Sequence, residues 1–152
     1  MADEEGNYPY DANPLEAHII ETETNRGNHI GWYRNPSRGG SASVTIAYRK
    51  DGRWSGLYPD YVFFTRNADA TVGTSIVDPH SSHLADAMPK LRGLAQYAAD
   101  FGDQYARLLA VDFVEGSHKA IDLQVESNRE VLLNGTYESA IEAFKALGMG
   151  YK

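Results

Sequence analysis

The sequence predicts an α/β fold in which a mixed central sheet is flanked by helices, and three observations carry that prediction. Between His29 and Asp78, short β-rich runs alternate with turn chemistry. From Ser82 the apolar spacing changes to three and four, the period of a helix laid on a sheet. Arg107 to Val114 is then apolar on both faces, as a strand covered on both sides must be. At 152 residues the chain suits one domain, since a chain of this size buries about two thirds of its unfolded surface unaided. Residues 13–152 are assigned to that domain and residues 1–12 to an acidic flexible lead.

Asn13-Pro14-Leu15-Glu16 has the form of a helix start: an Asn cap, Pro at the first helical position and Glu three residues after the cap. Leu15, Ile19 and Ile20 supply a buried stripe, and Asn25 to Asn28 ends the helix near Thr24. His29 to Tyr33 reads as a strand, with Trp32 and Tyr33 expected in the core. Arg34 to Gly40 follows as a loop carrying Arg34 and Arg38. Ser43 to Arg49 alternates, with Val44, Ile46 and Tyr48 on one face, and ends at an Asp51-Gly52 hairpin signal. A strand from Tyr58 to Arg66 is expected to pair back across it, and Thr74 to Asp78 forms the next strand.

Leu84, Met88, Leu91 and Leu94 mark a long amphipathic helix that Pro89 interrupts. Either a turn at 83–87 precedes a helix beginning near Pro89, or one helix kinks there. Phe101 to Asp103 stops it, and strands at 107–114 and 118–125 are joined by a turn at Gly116-Ser117. Helices at about 128–133 and 137–147 complete the chain.

The absence of cysteine excludes disulfides and thiolate zinc sites. No apolar run approaches the ~18 residues of a membrane span, and the acidic start has no basic and apolar leader regions. The expectation is a cytoplasmic protein with no membrane partner. A net charge of -7 opposes nucleic-acid binding, yet residues 26–54 hold six basic groups against Asp51 alone. That stretch is either a basic arm or an ordinary solvated hairpin.

Two carboxylates stand at predicted strand ends: Asp60 after Pro59, and Asp78 before Pro79 and His80. With Glu16 on the first helix they offer the hard oxygen donors that Mg²⁺ prefers. The order of helix, meander and crossing helix, with Pro59-Asp60 and Asp78-x-His80, resembles the PD-(D/E)xK nuclease superfamily and its restriction-endonuclease-like core. The strings GWYRNPSRGG, LYPDYVFF and IVDPHSSHLADAMPKL are most similar to the nuclease-like domain that follows the motor in DEAD/DEAH helicases related to type III restriction Res subunits.

That resemblance implies a metal-dependent DNA endonuclease serving restriction or phage defence. Mg²⁺ or Mn²⁺ would be held by Asp60, Asp78 and Glu16, with the Pro79 carbonyl as a further ligand. His80 stands where the superfamily has lysine, and Lys90 on the following helix would replace the missing charge. Arg34, Arg38 and His83 would touch phosphates. The partners implied are DNA and a helicase motor in cis or trans, because the sequence has no phosphate-binding Gly-Lys loop of its own.

Simpler roles stand beside these. Asp60 is also placed as a turn residue, Asp78 as a helix cap, Glu16 as the capping-box acid and Lys90 as a surface lysine. A catalytically inactive nuclease fold that binds DNA or docks to the motor is the alternative function. A protein-interaction domain using Ala140, Ile141, Phe144 and Leu147 is a third.

Overall fold

The described region, residues 11–152 of a computed structural model, begins with helix α1 (Pro14–Thr24). The acidic lead assigned to residues 1–12 therefore lies almost wholly outside the described residues. The expected capping box is formed: the Asn13 side chain accepts from the Glu16 N–H at 3.0 Å, and the Glu16 carboxylate accepts from the Asn13 N–H at 2.8 Å.

After β1 (His29–Arg34), the pairing departs from expectation. Strands β2 (Ile46–Lys50) and β3 (Arg53–Leu57) make a separate two-stranded sheet, and β4 (Tyr61–Arg66) lies between β1 and β5 (Val72–Pro79). The reason is local. Asp51 and Gly52 both adopt positive φ, 50° and 75°, the conformation of a tight two-residue hairpin turn, so residues 53–57 take the ladder beside β2. The chain then breaks at Tyr58 to Asp60 and starts again as β4 in a different sheet. Trp32 and Tyr33 are another correction: they are 36% and 39% exposed, because β1 is an edge strand of the main sheet.

Helix α2 (Ala87–Phe101) connects β5 to β6 (Arg107–Val114), and β7 (Ser117–Asp122) follows. Pro89 sits in the first turn of α2, where its missing N–H would have had no intrahelical partner, so a turn precedes the helix and no kink is required. Helix α3 (Glu126–Leu133) starts slightly earlier than expected. Helix α4 (Ala140–Leu147) starts three residues later, at a capping box between Ser139 and Glu142. The chain ends in a short strand, β8 (Met149–Gly150), that sequence patterning did not foresee.

The larger sheet has the order β1-β4-β5-β6-β7-β8. Its β5–β6 pair is parallel and its other pairs antiparallel, so the sheet is mixed as predicted. Period-two alternation sends the side chains of the central strands β4, β5 and β6 to two covered faces. On β6, Leu109 and Val111 face α1 and pack with Ile19, Phe63 and Tyr151. Leu108 and Ala110 face α2 and pack with Leu91, Leu94 and Phe144. On the apolar face of α4, Ala140 and Phe144 are buried in this core, whereas Ile141 is 37% exposed.

The hairpin β2–β3 rests on α2 through Tyr48, and Gly93 makes that approach possible: a Cβ built there would overlap the Tyr48 Cβ. The far end of α1 is fixed by Glu23, which is 1% exposed and accepts from Arg107, Arg26 and the Tyr151 hydroxyl, the last at 2.7 Å. Among the described residues, no helix is long and apolar enough to cross a membrane.

Candidate functional site

The antiparallel register Tyr61↔Val77 brings the residue before β4 beside the end of β5, and this is what places Asp60 next to Asp78. The Asp60 N–H donates to Asp78 Oδ1 at 3.3 Å. Asp78 is buried and Asp60 half-buried. Burial, reinforced by the charges of Asp78 and Glu16, pushes the Asp60 carboxyl up to about 6, against the opposing pull of Arg34 and Lys90. These five side chains therefore share one electrostatic neighbourhood. Asp78 caps no helix: the first turn of α2 has no side-chain cap bond from Asp86, and Asp78 Oδ1 is turned toward Asp60.

Glu16 meets this neighbourhood already engaged. One carboxylate oxygen completes the capping box and the other lies 3.8 Å from Arg34 Nη2. Arg34 is the last residue of β1 rather than a loop-tip residue, whereas Arg38 stands exposed in the following loop. Lys90 lines the same depression as Asp60 and Asp78, but its ammonium is 2.9 Å from Asp86. His83 is exposed on the turn before α2.

His80 is only 3% exposed. Its Nε2 lies 2.8 Å from the Ala87 carbonyl, which can only accept, so Nε2 carries a proton. Its Nδ1 lies 3.4 Å from Asp78 Oδ2, and the ring packs against Phe144 at 5.8 Å. A lysine at this position would present a mobile cation, but this imidazole is walled in with its Nδ1 edge against Asp78.

Two polar residues that sequence reasoning passed over build the frame. Asn35 is 3% exposed: its side chain donates to the Val44 carbonyl at 2.8 Å and accepts from the Val44 N–H at 2.7 Å, while its own N–H donates to the Asp60 carbonyl at 2.8 Å. Asp112, buried in β6, accepts from the Ser82 N–H at 2.8 Å and so fixes the turn after His80. A lone charge inside the run RLLAVDFV was the available signal for Asp112.

Three depressions share Asp60 on their walls. The one holding Asp78, Ser81 and Lys90 has a volume of about 260 Å³. A second, of about 360 Å³, is lined by Arg34, Asn35 and Arg38. The third, of about 520 Å³, is bounded by Glu16, Pro79, Phe113 and His118. Among the described residues, no three His, Asp or Glu side chains converge closely enough to enclose a metal ion by themselves. Two adjoining carboxylates, the charge of Asp78 adding to the rise of the Asp60 carboxyl, nevertheless fit a Mg²⁺ ion, which commonly takes one or two carboxylates and keeps water or phosphate oxygens for the rest of its shell.

The E. coli (strain K12) protein YagJ is 39% identical to this chain over 146 residues, 96% of this chain. The chain spans 59% of that relative's length. No solved structure matches. Residues 1–152 match the YagJ family from end to end, and the chain belongs to that family.

Proposed function

We propose that this chain is a metal-dependent DNA endonuclease domain with a PD-(D/E)xK-type core, acting with a helicase motor in cis or trans in restriction or phage defence. The observation that supports it most is the Asp60–Asp78 pair, two like-charged carboxylates held at adjoining strand ends where three depressions meet. Mg²⁺ or Mn²⁺ bound there would supply Lewis-acid activation of water and of a phosphoryl oxygen. Asp60 and Asp78 would hold the ion, with Glu16 nearby and partly neutralised by Arg34. His80 packs beside Asp78, and Arg34 and Arg38 line the groove along which a phosphate backbone would approach Asp60.

The test is incubation of the protein with plasmid and linear DNA in Mg²⁺ and in Mn²⁺, beside Asp60→Ala. Cleavage that needs the metal and is lost in the variant supports the proposal; no cleavage, or equal cleavage by the variant, overturns it.

A second reading, a catalytically silent nuclease fold that binds DNA, draws on His80 and Lys90. One is buried against Asp78 and the other is paired with Asp86, so neither side chain is free to move onto a phosphate at the carboxylate pair. That reading expects metal-independent DNA retention that weakens with salt, and a salt dependence reduced by about one counterion in each of Arg34→Ala and Arg38→Ala.

A further inference from the structure

We infer that the depression bounded by Phe113 and His118 is a nucleobase pocket, through which the site takes an unpaired nucleotide of a DNA strand next to the phosphate at Asp60. The inference rests on the proposed nucleic-acid role of Asp60 and deepens it by naming the substrate class.

Phe113 departs from the pattern of its strand. It continues the row Leu109, Val111, Phe113 on the α1 face of β6, and its two predecessors are buried. Phe113 itself is 55% exposed. Residues at the start of α1, Asn13 to Glu16, border the depression beside it without covering the ring. The apolar face of the sheet therefore ends in an uncovered aromatic ring, one of the few large apolar side chains among the described residues that is more than half exposed.

The ring does not stand alone. Phe113 meets His118 edge to face at 5.0 Å, and His118 stacks on His18 at 3.7 Å with an interplanar angle of 11°. His18 Nε2 in turn lies 3.2 Å from the Tyr151 carbonyl. An aromatic column thus runs from the exposed Phe113 into the domain, anchored at its inner end. Burial, aided by the neighbouring His18, holds the His118 imidazole below its ordinary value, so it presents a neutral ring at neutral pH.

Around this surface the walls change character over a short distance. Leu15, Pro14 and Pro79 give apolar contact, while Asn13, Ser81 and Glu16 bring hydrogen-bonding groups to the rim. A flat, uncharged ring with a polar edge suits such a pocket. Its volume of about 520 Å³ lies within the ~300–1,000 Å³ range of small-ligand sites. Asp60 forms part of this wall and also part of the wall of the Arg34–Arg38 groove. A strand whose phosphate sits at Asp60 and whose backbone follows the arginines has the aromatic pocket beside it. A base stacked inside a duplex could not enter without leaving its partner, whereas an unpaired one has no base pair to give up.

The experiment measures binding of the full chain, in EDTA, to three fluorescently labelled DNAs of one sequence: single-stranded, duplex with a single-stranded overhang, and blunt duplex. Phe113→Ala and Phe113→Trp are compared with the native protein, with circular dichroism and melting used to confirm that each is folded. The native chain should bind the single-stranded and overhang DNAs about 10-fold or more tighter than the blunt duplex. Phe113→Ala should lose most of that preference while duplex binding stays unchanged, and Phe113→Trp should keep it and show indole quenching by the strand.

Equal affinity for all three DNAs, no binding to any, or an undiminished preference in folded Phe113→Ala would overturn the inference. Because the assay contains no divalent metal, it separates the two claims. A Phe113-dependent preference without cleavage in Mg²⁺ or Mn²⁺ keeps the pocket and removes the nuclease. Metal-dependent cleavage that is indifferent to strandedness and to Phe113→Ala does the reverse.

Discussion

Asp60→Asn should make this protein more stable at neutral pH. Burial first, then the charges of Asp78 and Glu16, raise the Asp60 carboxyl from an ordinary 3.8 to about 6. A carboxyl raised on folding favours the native state while it holds its proton, and that contribution is lost as pH rises from the ordinary value through about 6. At ~1.4 kcal/mol per pH unit the full loss at pH 7 has an upper bound of about 3 kcal/mol. Asp60 retains contact with solvent, whose screening reduces this to about 1–2 kcal/mol.

The neutral amide removes the penalty. Urea unfolding at pH 7 should therefore give Asp60→Asn a midpoint higher by about 0.5–1 M, taking a slope of ~2 kcal/mol/M. Near pH 4 the native carboxyl is itself largely protonated, so the gap between the two proteins should nearly close. Divalent metal provides the second arm. An ion bound only by the folded state at ~100 times its dissociation constant adds about 2.7 kcal/mol, which the native protein should gain and Asp60→Asn should not. A variant less stable at pH 7, or a difference that does not change with pH, would refute the reasoning.

Two further outcomes follow from packing elsewhere. Glu23→Ala removes a buried carboxylate from Arg107, Arg26 and Tyr151, and thermal or urea unfolding should show a loss of about 3 kcal/mol. Burial alone would raise the Glu23 carboxyl, but these partners outweigh it and hold it below the usual range. Its contribution is therefore present above the ordinary glutamate value near 4.5 and is lost as pH falls through the lower folded value, an acid-side decline that Glu23→Gln should lack. Gly93→Ala should destabilise by about 1–3 kcal/mol despite the ~1 kcal/mol gain in helix propensity. The added methyl has to displace the Tyr48 Cβ, which cannot swing aside as a side-chain tip could, and a melting curve at or above the native one would count against this contact.

Much of the element order was legible because its signals are local. Asn13 with Glu16, Asp51-Gly52 and Pro89 each specify backbone geometry within a few residues of themselves. Partnership between strands is not local, and there the reading failed. Tyr61 to Arg66 looks as suitable a mate for Ile46 to Lys50 as Arg53 to Leu57 does, until the two-residue turn assigns the nearer segment. Trp32 and Tyr33 read as core because composition cannot distinguish an edge strand from a central one.

At the site, Asp60 and Asp78 were found from their positions at strand ends, and the structure brings them together. The enclosure of His80 depends on Ala87 and Phe144 and was not visible in the residues adjoining it. Phe113 escaped notice for the opposite reason. Within an apolar strand it looks like any core residue, and only the extent of α1 leaves it uncovered.

Asn35 has one more consequence. The loop that carries Arg38 is bonded at both of its ends through a single side chain, and the same residue ties it to the backbone of Asp60. A ligand arriving at that loop meets a surface whose shape is already set, so little disorder remains to be removed on contact. The arginine groove and the carboxylates then behave as one rigid gauge: displacing Asn35 would shift the spacing between them while leaving each of its parts intact.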